Sequence, residues 1–358
     1  MLTYWLMFLL PAMVALMNET QRTRALAGGE AETPVGAWIA VGIVLTLLIG
    51  FRYEVGGDWF NYVRHFNDVY YLSLWEAIQE YDPAHGAMNW LSNYLGWGVY
   101  GTNLAYGAIF SLGLIAFCRA QPRPLLALAV AVPYLVVVVG MGYSRQGVAI
   151  GLAFFALLAL AEHKTVKFVI FVAIAALFHK TAVVLIPIAA LASTKNRIWT
   201  AAWVGATAVL MYYLYLEESA ETLVAGYIDS KMASEGGAIR VAMNAVPGLL
   251  FLLNRKRFRL DRAELALWTW ISLIAVAFVP ILMVSPSSTA VDRVALYFIP
   301  IQMYVFSRLP DAIWRGRHRL AVRGGVVAYY GLVMFVWLNF ATHSRYWVPY
   351  QFYPLVDL

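Results

Sequence analysis

The sequence predicts an all-helical protein that crosses a membrane many times, and three observations carry that prediction. Of 358 residues, 62% are hydrophobic and only 13% charged, with a mean hydropathy of +0.67, unlike a soluble domain of this size. Apolar runs of roughly twenty residues recur along the chain, long enough to cross a hydrocarbon core of about 30 Å as helices. Lys and Arg gather in alternate connections, which marks the cytoplasmic side of a membrane. The net charge of +6 is therefore a signal of topology and not a nucleic-acid footprint. The single cysteine, Cys118, excludes an internal disulfide and a thiolate metal cage.

About ten full crossings are expected, over residues 2–17, 35–51, 103–118, 124–141, 147–161, 198–216, 240–254, 264–284, 293–307 and 321–341. The first, Leu2 to Met17, lacks a basic region ahead of it and has only a weak cleavage candidate, so it reads as a retained helix. The second runs directly into Phe51-Arg52-Tyr53-Glu54-Val55-Gly56-Gly57-Asp58-Trp59-Phe60-Asn61-Tyr62, which opens an outer-face loop over 52–84. Gly56-Gly57 permits a sharp turn or a close approach to a ligand. Tyr62 lies four residues after Asp58 and shares a face with it if a helix begins with Asp58 as its N-cap.

Residues 85–100 are semi-polar, carrying Asn89, Ser92 and Asn93, and read as an outer-face dip. Counting them as a crossing would put Arg119 and Arg123 outside and invert everything that follows. The apolar run 167–193 is broken by Phe178-His179-Lys180-Thr181. Basic residues flank both of its ends, so it reads as a hairpin returning to the cytoplasm. Each arm, about 20 Å as helix, is too short to cross upright. The His179-Lys180 tip then stops within the membrane or at its outer border, where such groups are buried in protein or line a watery cavity. Residues 217–239 form an acidic outer loop, either a lid over substrate or a solvated connector. With both termini outside, 1–358 reads as one integral membrane domain, and eighteen of the 26 Lys and Arg fall inside.

The remaining outer cations include Arg52, Arg145, Lys180 and Arg293, all near helix ends. Arg145 follows the glycine-punctuated turn Gly140 to Gly147, next to Tyr143, and Arg293 pairs with Tyr297 at i, i+4 on one helix. Arginine's fork suits phosphate, and helix N-termini add donors. A lipid-linked diphosphate would lie at this depth. Glu54, Asp58 and His179 are candidates to accept a proton from an attacking hydroxyl. Snorkelling to lipid headgroups is the competing reading for Arg145 and Arg293. Arg52 could instead pair Asp58 or Glu54 structurally. The aromatic surplus suits an interfacial belt as well as sugar stacking. The sequence contains no DxD-type metal site outside, P-loop, zinc spacing or GxSxG.

Four motifs in order, Arg52-x-x-x-Gly56-x-Asp58-x-x-x-Tyr62, Ser144-Arg145-Gln146-Gly147-Val148-Ala149, Phe178-His179-Lys180-Thr181-Ala182 and Arg293-x-x-x-Tyr297, resemble the EpsG family of Wzy-like exopolysaccharide and O-antigen polymerases. The likeness runs from residue 35 to about 310, with Gly57 a small departure from the family pattern. It implies a fold like the lipid-sugar-dependent membrane glycosyltransferases and a metal-independent polymerase with no cofactor. The implied substrates are donor and acceptor glycans on undecaprenyl diphosphate, used at the outer (periplasmic) face of a bacterial inner membrane, with a flippase and a chain-length regulator as partners. Asp58, His179, Arg145 and Arg293 take the catalytic places; Arg52, Glu54, Tyr62, Tyr143, Lys180 and Tyr297 bind substrate. An O-antigen-ligase-like transfer differs only in acceptor and stays open. A lipid-linked oligosaccharide transporter or flippase would show internal repeats and charge along a whole pathway, and neither is visible. An acyltransferase is weaker still, because its inner-face histidines, His163 and His318, lie in basic loops.

Overall fold

A computed structural model describes residues 1–17, 34–192, 197–211, 234–313 and 318–356. Among these it is helical, with one isolated antiparallel bridge. Arg22, Arg24, Lys195, Arg315, Arg317, the end of the 198–216 span and the acidic loop up to residue 233 lie outside the described residues.

The chain forms two compact units. The first holds Met1–Phe154, Leu177–His179 and Arg323–Leu358. It contains α1 (Leu2–Met17), α2 (Val35–Gly50), α3 (Trp59–Asp68), α4 (Leu74–Glu80), α5 (Pro83–Tyr94), α6 (Gly98–Arg119), α7 (Pro124–Gly140) and the start of α8 (Ser144–Ala161). The second holds Phe155–Ala176 and Lys180–Val322. In it lie most of α9 (Thr165–Phe178), then α10 (Ile186–Ala192), α11 (Arg197–Met211), α12 (Gly237–Asn254), α13 (Arg262–Val284), α14 (Ser288–Ala295) and α15 (Pro300–Ala312). The last helix, α16 (His318–Phe340), begins in the second unit and ends in the first.

Among the described residues, five helices are long and apolar enough to cross a membrane, namely α6, α8, α12 with its extension to Arg257, α13 and α16. Shorter apolar helices cover Leu2–Met17, Val35–Gly50 and Pro124–Gly140. The protein is thus a multi-pass membrane protein. In the first unit, α6 crosses α8 at glycines: a Cβ on Gly113 would come within 1.9 Å of the Gly151 carbonyl oxygen. Without an oil-water difference to drive helices together in lipid, such small-residue crossings supply close packing instead.

Several expected elements differ. The 52–84 stretch folds as α3, α4 and the start of α5. Ser73 and Glu76 form a reciprocal capping box at the head of α4, which turns a polar stretch into a helix start. Residues 85–100 divide between α5, too short to span, and the start of α6. The break at His179 is present: α9 ends at Phe178, His179 is non-helical, and Lys180–Leu185 form a 3-10 turn ahead of α10. Arg293 and Tyr297 are not on one α-helix. The helix stops at Ala295, and Tyr297 sits in the 3-10 turn Leu296–Phe298. Pro300 follows at the first position of α15 and has no N–H to continue the ladder, so the chain tightens before it.

Candidate functional site

The first motif turns back on itself between α2 and α3. Glu54 (φ 51°) and Gly56 (φ 108°) both take positive φ. A Cβ on Gly56 would lie 2.6 Å from the Met141 carbonyl oxygen, so only glycine lets this turn meet the second motif's turn. The C-terminal segment locks it from the other side. Gly56 N–H donates to the Tyr346 oxygen (2.8 Å), Tyr53 N–H to that of Gln351 (3.0 Å) and Tyr353 N–H to that of Phe51 (2.8 Å), with Arg52 bridging Phe352. Trp347 is buried, donates from Nε1 to the Val137 oxygen (2.7 Å), and accepts from the Tyr4 hydroxyl at its own carbonyl (2.7 Å).

Arg52 has no exposed surface. Its guanidinium donates to the carbonyl oxygens of Ile49 (2.6 Å) and Val55 (3.1 Å), to Ser144 Oγ (2.6 Å) and to Asn103 Oδ1 (3.4 Å), and it stands 5.4 Å from the Trp59 ring centre. Burial pushes it down to about 10, opposed by nearby tyrosines, so it remains a cation. Its partners are neutral oxygens, neither Asp58 nor Glu54, and they fix the residue next to Arg145. Asp58 takes the N-cap place of α3 without a side-chain cap bond. Glu54 is exposed, while Asp58 and Tyr143 are half-buried.

Arg145 is the second residue of α8. Its backbone N–H donates to the Tyr62 hydroxyl (3.3 Å), and Nη1 donates to Asp82 Oδ2 (2.9 Å). The pair is sheltered, with side-chain exposures of 29% for Arg145 and 9% for Asp82. Arg145 Nε is buried with no hydrogen-bond partner. Asp82 stands at the N-cap of α5, yet its carboxylate makes no cap bond there. Two imidazoles pack beside this pair. His65 Nδ1 lies 3.2 Å from His85 Nε2, and His85 Nδ1 lies 2.7 Å from the Tyr106 hydroxyl. Burial, then the Arg145 charge, hold His65 down to about 4 and His85 well below its ordinary range, so both rings are neutral at physiological pH. The second motif thus carries a single cation here, balanced by one carboxylate.

His179 follows α9 as a half-buried residue of the first unit. In the second unit, Lys180 opens the 3-10 turn and Thr181 Oγ1 donates to the Tyr297 hydroxyl (3.3 Å), joining the third and fourth motifs. Arg293 is half-exposed on α14. Its neighbour Asp292 accepts a fork from Arg240, Nε to Oδ1 at 2.7 Å and Nη2 to Oδ2 at 2.6 Å.

Arg52 and Ser144, Arg145 and Tyr62, and Thr181 and Tyr297 are therefore direct partners across motifs. Sequence reasoning missed Asp82, His65, His85 and the Asp292–Arg240 pair. The Asp82-Pro83 dipeptide and Asp292 immediately before Arg293 were the available signals, both charges in a chain poor in charge. Among the described residues, no three of His, Cys, Asp and Glu gather as metal ligands.

No curated protein and no solved structure matches the chain. A family model, described as the EpsG family, matches residues 37–352, nearly the whole chain and all four motifs. The chain belongs to the EpsG family, the family of Wzy-like exopolysaccharide polymerases.

Proposed function

We propose that this protein polymerises oligosaccharide repeat units carried on a polyprenyl diphosphate, undecaprenyl diphosphate in a bacterial inner membrane, working at the outer face. Family membership supplies the polymerase-type glycosyl transfer. The observation that carries the substrate class is Arg145: a sheltered guanidinium at a helix start, oriented by Asp82 and Tyr62, with a buried N–H left for an acceptor oxygen.

In the proposed reaction the acceptor hydroxyl attacks the anomeric carbon of the donor sugar. The bond from that carbon to the diphosphate oxygen breaks, a glycosidic bond forms, and polyprenyl diphosphate leaves with the electron pair. The acceptor's proton passes to Asp58 or His179, the two candidate bases of the motif set. Arg145 stabilises the leaving charge, and Lys180 and Arg293 are assigned to phosphoryl groups in the same step. Tyr62, Tyr143 and Tyr297 orient these groups or meet sugar, and Glu54 binds substrate. Arg52 acts through Ser144 as a support. The leaving group is already good, so the transfer is proposed to run without metal or nucleotide sugar. A flippase delivering the units and a regulator of chain length complete the proposed setting.

Purified protein incubated with a synthetic polyprenyl-diphosphate repeat unit in chelator should give a ladder of lengthening lipid-linked glycans. Arg145→Ala and Arg293→Ala should each slow it roughly 100-fold, the usual loss when one stabilising donor is removed, while the amount of protein in the membrane holds. Polymer at the wild-type rate from either variant would refute the assignment of that arginine.

A further inference from the structure

We propose that Asp82 is a positioning residue for the transfer: it holds Arg145 by Nη1 so that Nε faces a phosphoryl oxygen of the lipid-linked donor. The inference rests on the polymerase reading above and adds a residue outside the four motifs.

The geometry of α4 and α5 makes Asp82 a rigid anchor. A Cβ on Gly86 would come within 1.8 Å of the Ala77 carbonyl oxygen, so the two helices meet backbone to backbone just beyond Asp82. Pro83 at the first position of α5 fixes the backbone beside it. An aspartate at an N-cap ordinarily accepts the first free N–H groups of its helix. Asp82 makes no such bond, and its carboxylate meets Arg145 at 2.9 Å. The cap contact is forgone for the arginine.

The surroundings hold the guanidinium in place and leave its Nε unanswered. Its main chain is tied to Tyr62, and its Nη1 to Asp82. The His65–His85 pair packs against Tyr62, with His85 seated on Tyr106 and Asn89. Nε remains buried without a partner, which is costly unless a ligand oxygen meets it. A phosphoryl oxygen is the fitting acceptor, because the donor is a charged planar fork.

Asp82 is also a negative charge beside a site for an anion, which gives the test its sign. Asp82→Asn removes repulsion of the diphosphate and loosens the arginine. Its KM should stay level or fall, while kcat drops roughly 10- to 100-fold, as small misplacements of a reacting group do. Asp82→Glu, which keeps the charge, should recover more of kcat than Asn. Native mass spectrometry with polyprenyl diphosphate should show Asp82→Asn retaining the ligand and Arg145→Ala losing it. A wild-type kcat in Asp82→Asn overturns the inference, as does a joint loss of kcat, binding and thermal midpoint that Glu does not relieve. If wild-type protein makes no ladder from a verified cognate unit, the polymerase reading fails. The inference is then decided by binding: release of polyprenyl diphosphate by Asp82→Asn, or its retention by Arg145→Ala, overturns it.

Discussion

Arg52 and Arg145 look alike in sequence, each a lone cation at the end of an apolar run, and the structure gives them different surroundings. Every hydrogen bond of the Arg52 guanidinium is internal, to two carbonyls and to Ser144 and Asn103. Those oxygens would be left buried and unanswered in Arg52→Ala. Hydrogen bonds from a charged donor are each worth about 1.5–3 kcal/mol, so this variant should lose several degrees of melting midpoint in detergent and accumulate poorly. Arg145→Ala should cost less, because Asp82 already stands at the N-cap of α5 and has the N–H groups of that helix within its local reach. Scanning fluorimetry of the two variants checks the order, and a larger loss for Arg145→Ala would show the roles reversed. The motif was legible in the sequence, but the difference between its arginines was not. It depends on Asn103, Ser144 and Phe352, which lie 51, 92 and 300 positions away from Arg52 along the chain.

At the scale of elements, hydropathy located helices well because a lipid-facing backbone must satisfy its own hydrogen bonds, and a helix does this locally. It could not show what closes the turn between α2 and α3 in the first unit. Polar segments carry no such constraint, so 52–84 read as loop although Ser73-x-x-Glu76 signals a helix start. The part played by the C-terminal segment was not legible because it is tied to the first motif by main-chain bonds, which carry no sequence signature. Trp347 is the centre of that closure. It sits 3.7 Å from where a Gly57 Cβ would be and 2.2 Å from where a Gly142 Cβ would be. It also reaches Val137 inside the wide, π-type turn Val132–Gly140 that ends α7. Gly142→Ala should therefore displace the indole and cost roughly 1–3 kcal/mol, as overpacking does. Trp347→Phe in the same chain should return part of that loss. Additive losses in the double variant, measured by thermal midpoint, would mean that the two residues do not share this space.

At the scale of the whole molecule, topology decides whether the motif residues face one compartment, and one short helix decides topology. The basic connections fall inside only if 85–100 does not cross. In α5, Pro83–Tyr94 holds 12 residues, about 18 Å of helix and well short of the roughly 30 Å core. Its His85, Asn89 and Ser92 are buried against protein, which suits a helix resting on its neighbours rather than one facing lipid. Both facts argue for a dip, which leaves Arg119, Arg123 and the later basic connections inside. Cys118 is the single cysteine and is buried, so Cys118→Ser gives a background in which one new thiol reports one position. Tyr71, exposed just after α3, and Lys256, exposed after α12, lie on opposite sides in this arrangement. In spheroplasts, a membrane-impermeant maleimide should label Tyr71→Cys directly and Lys256→Cys only after permeabilisation. If α5 and the residues up to α6 crossed, every later segment would invert and both thiols would react from outside. That result would place Arg145 and Arg293 on the cytoplasmic side, away from Arg52, and would remove the common outer face on which the proposed transfer depends.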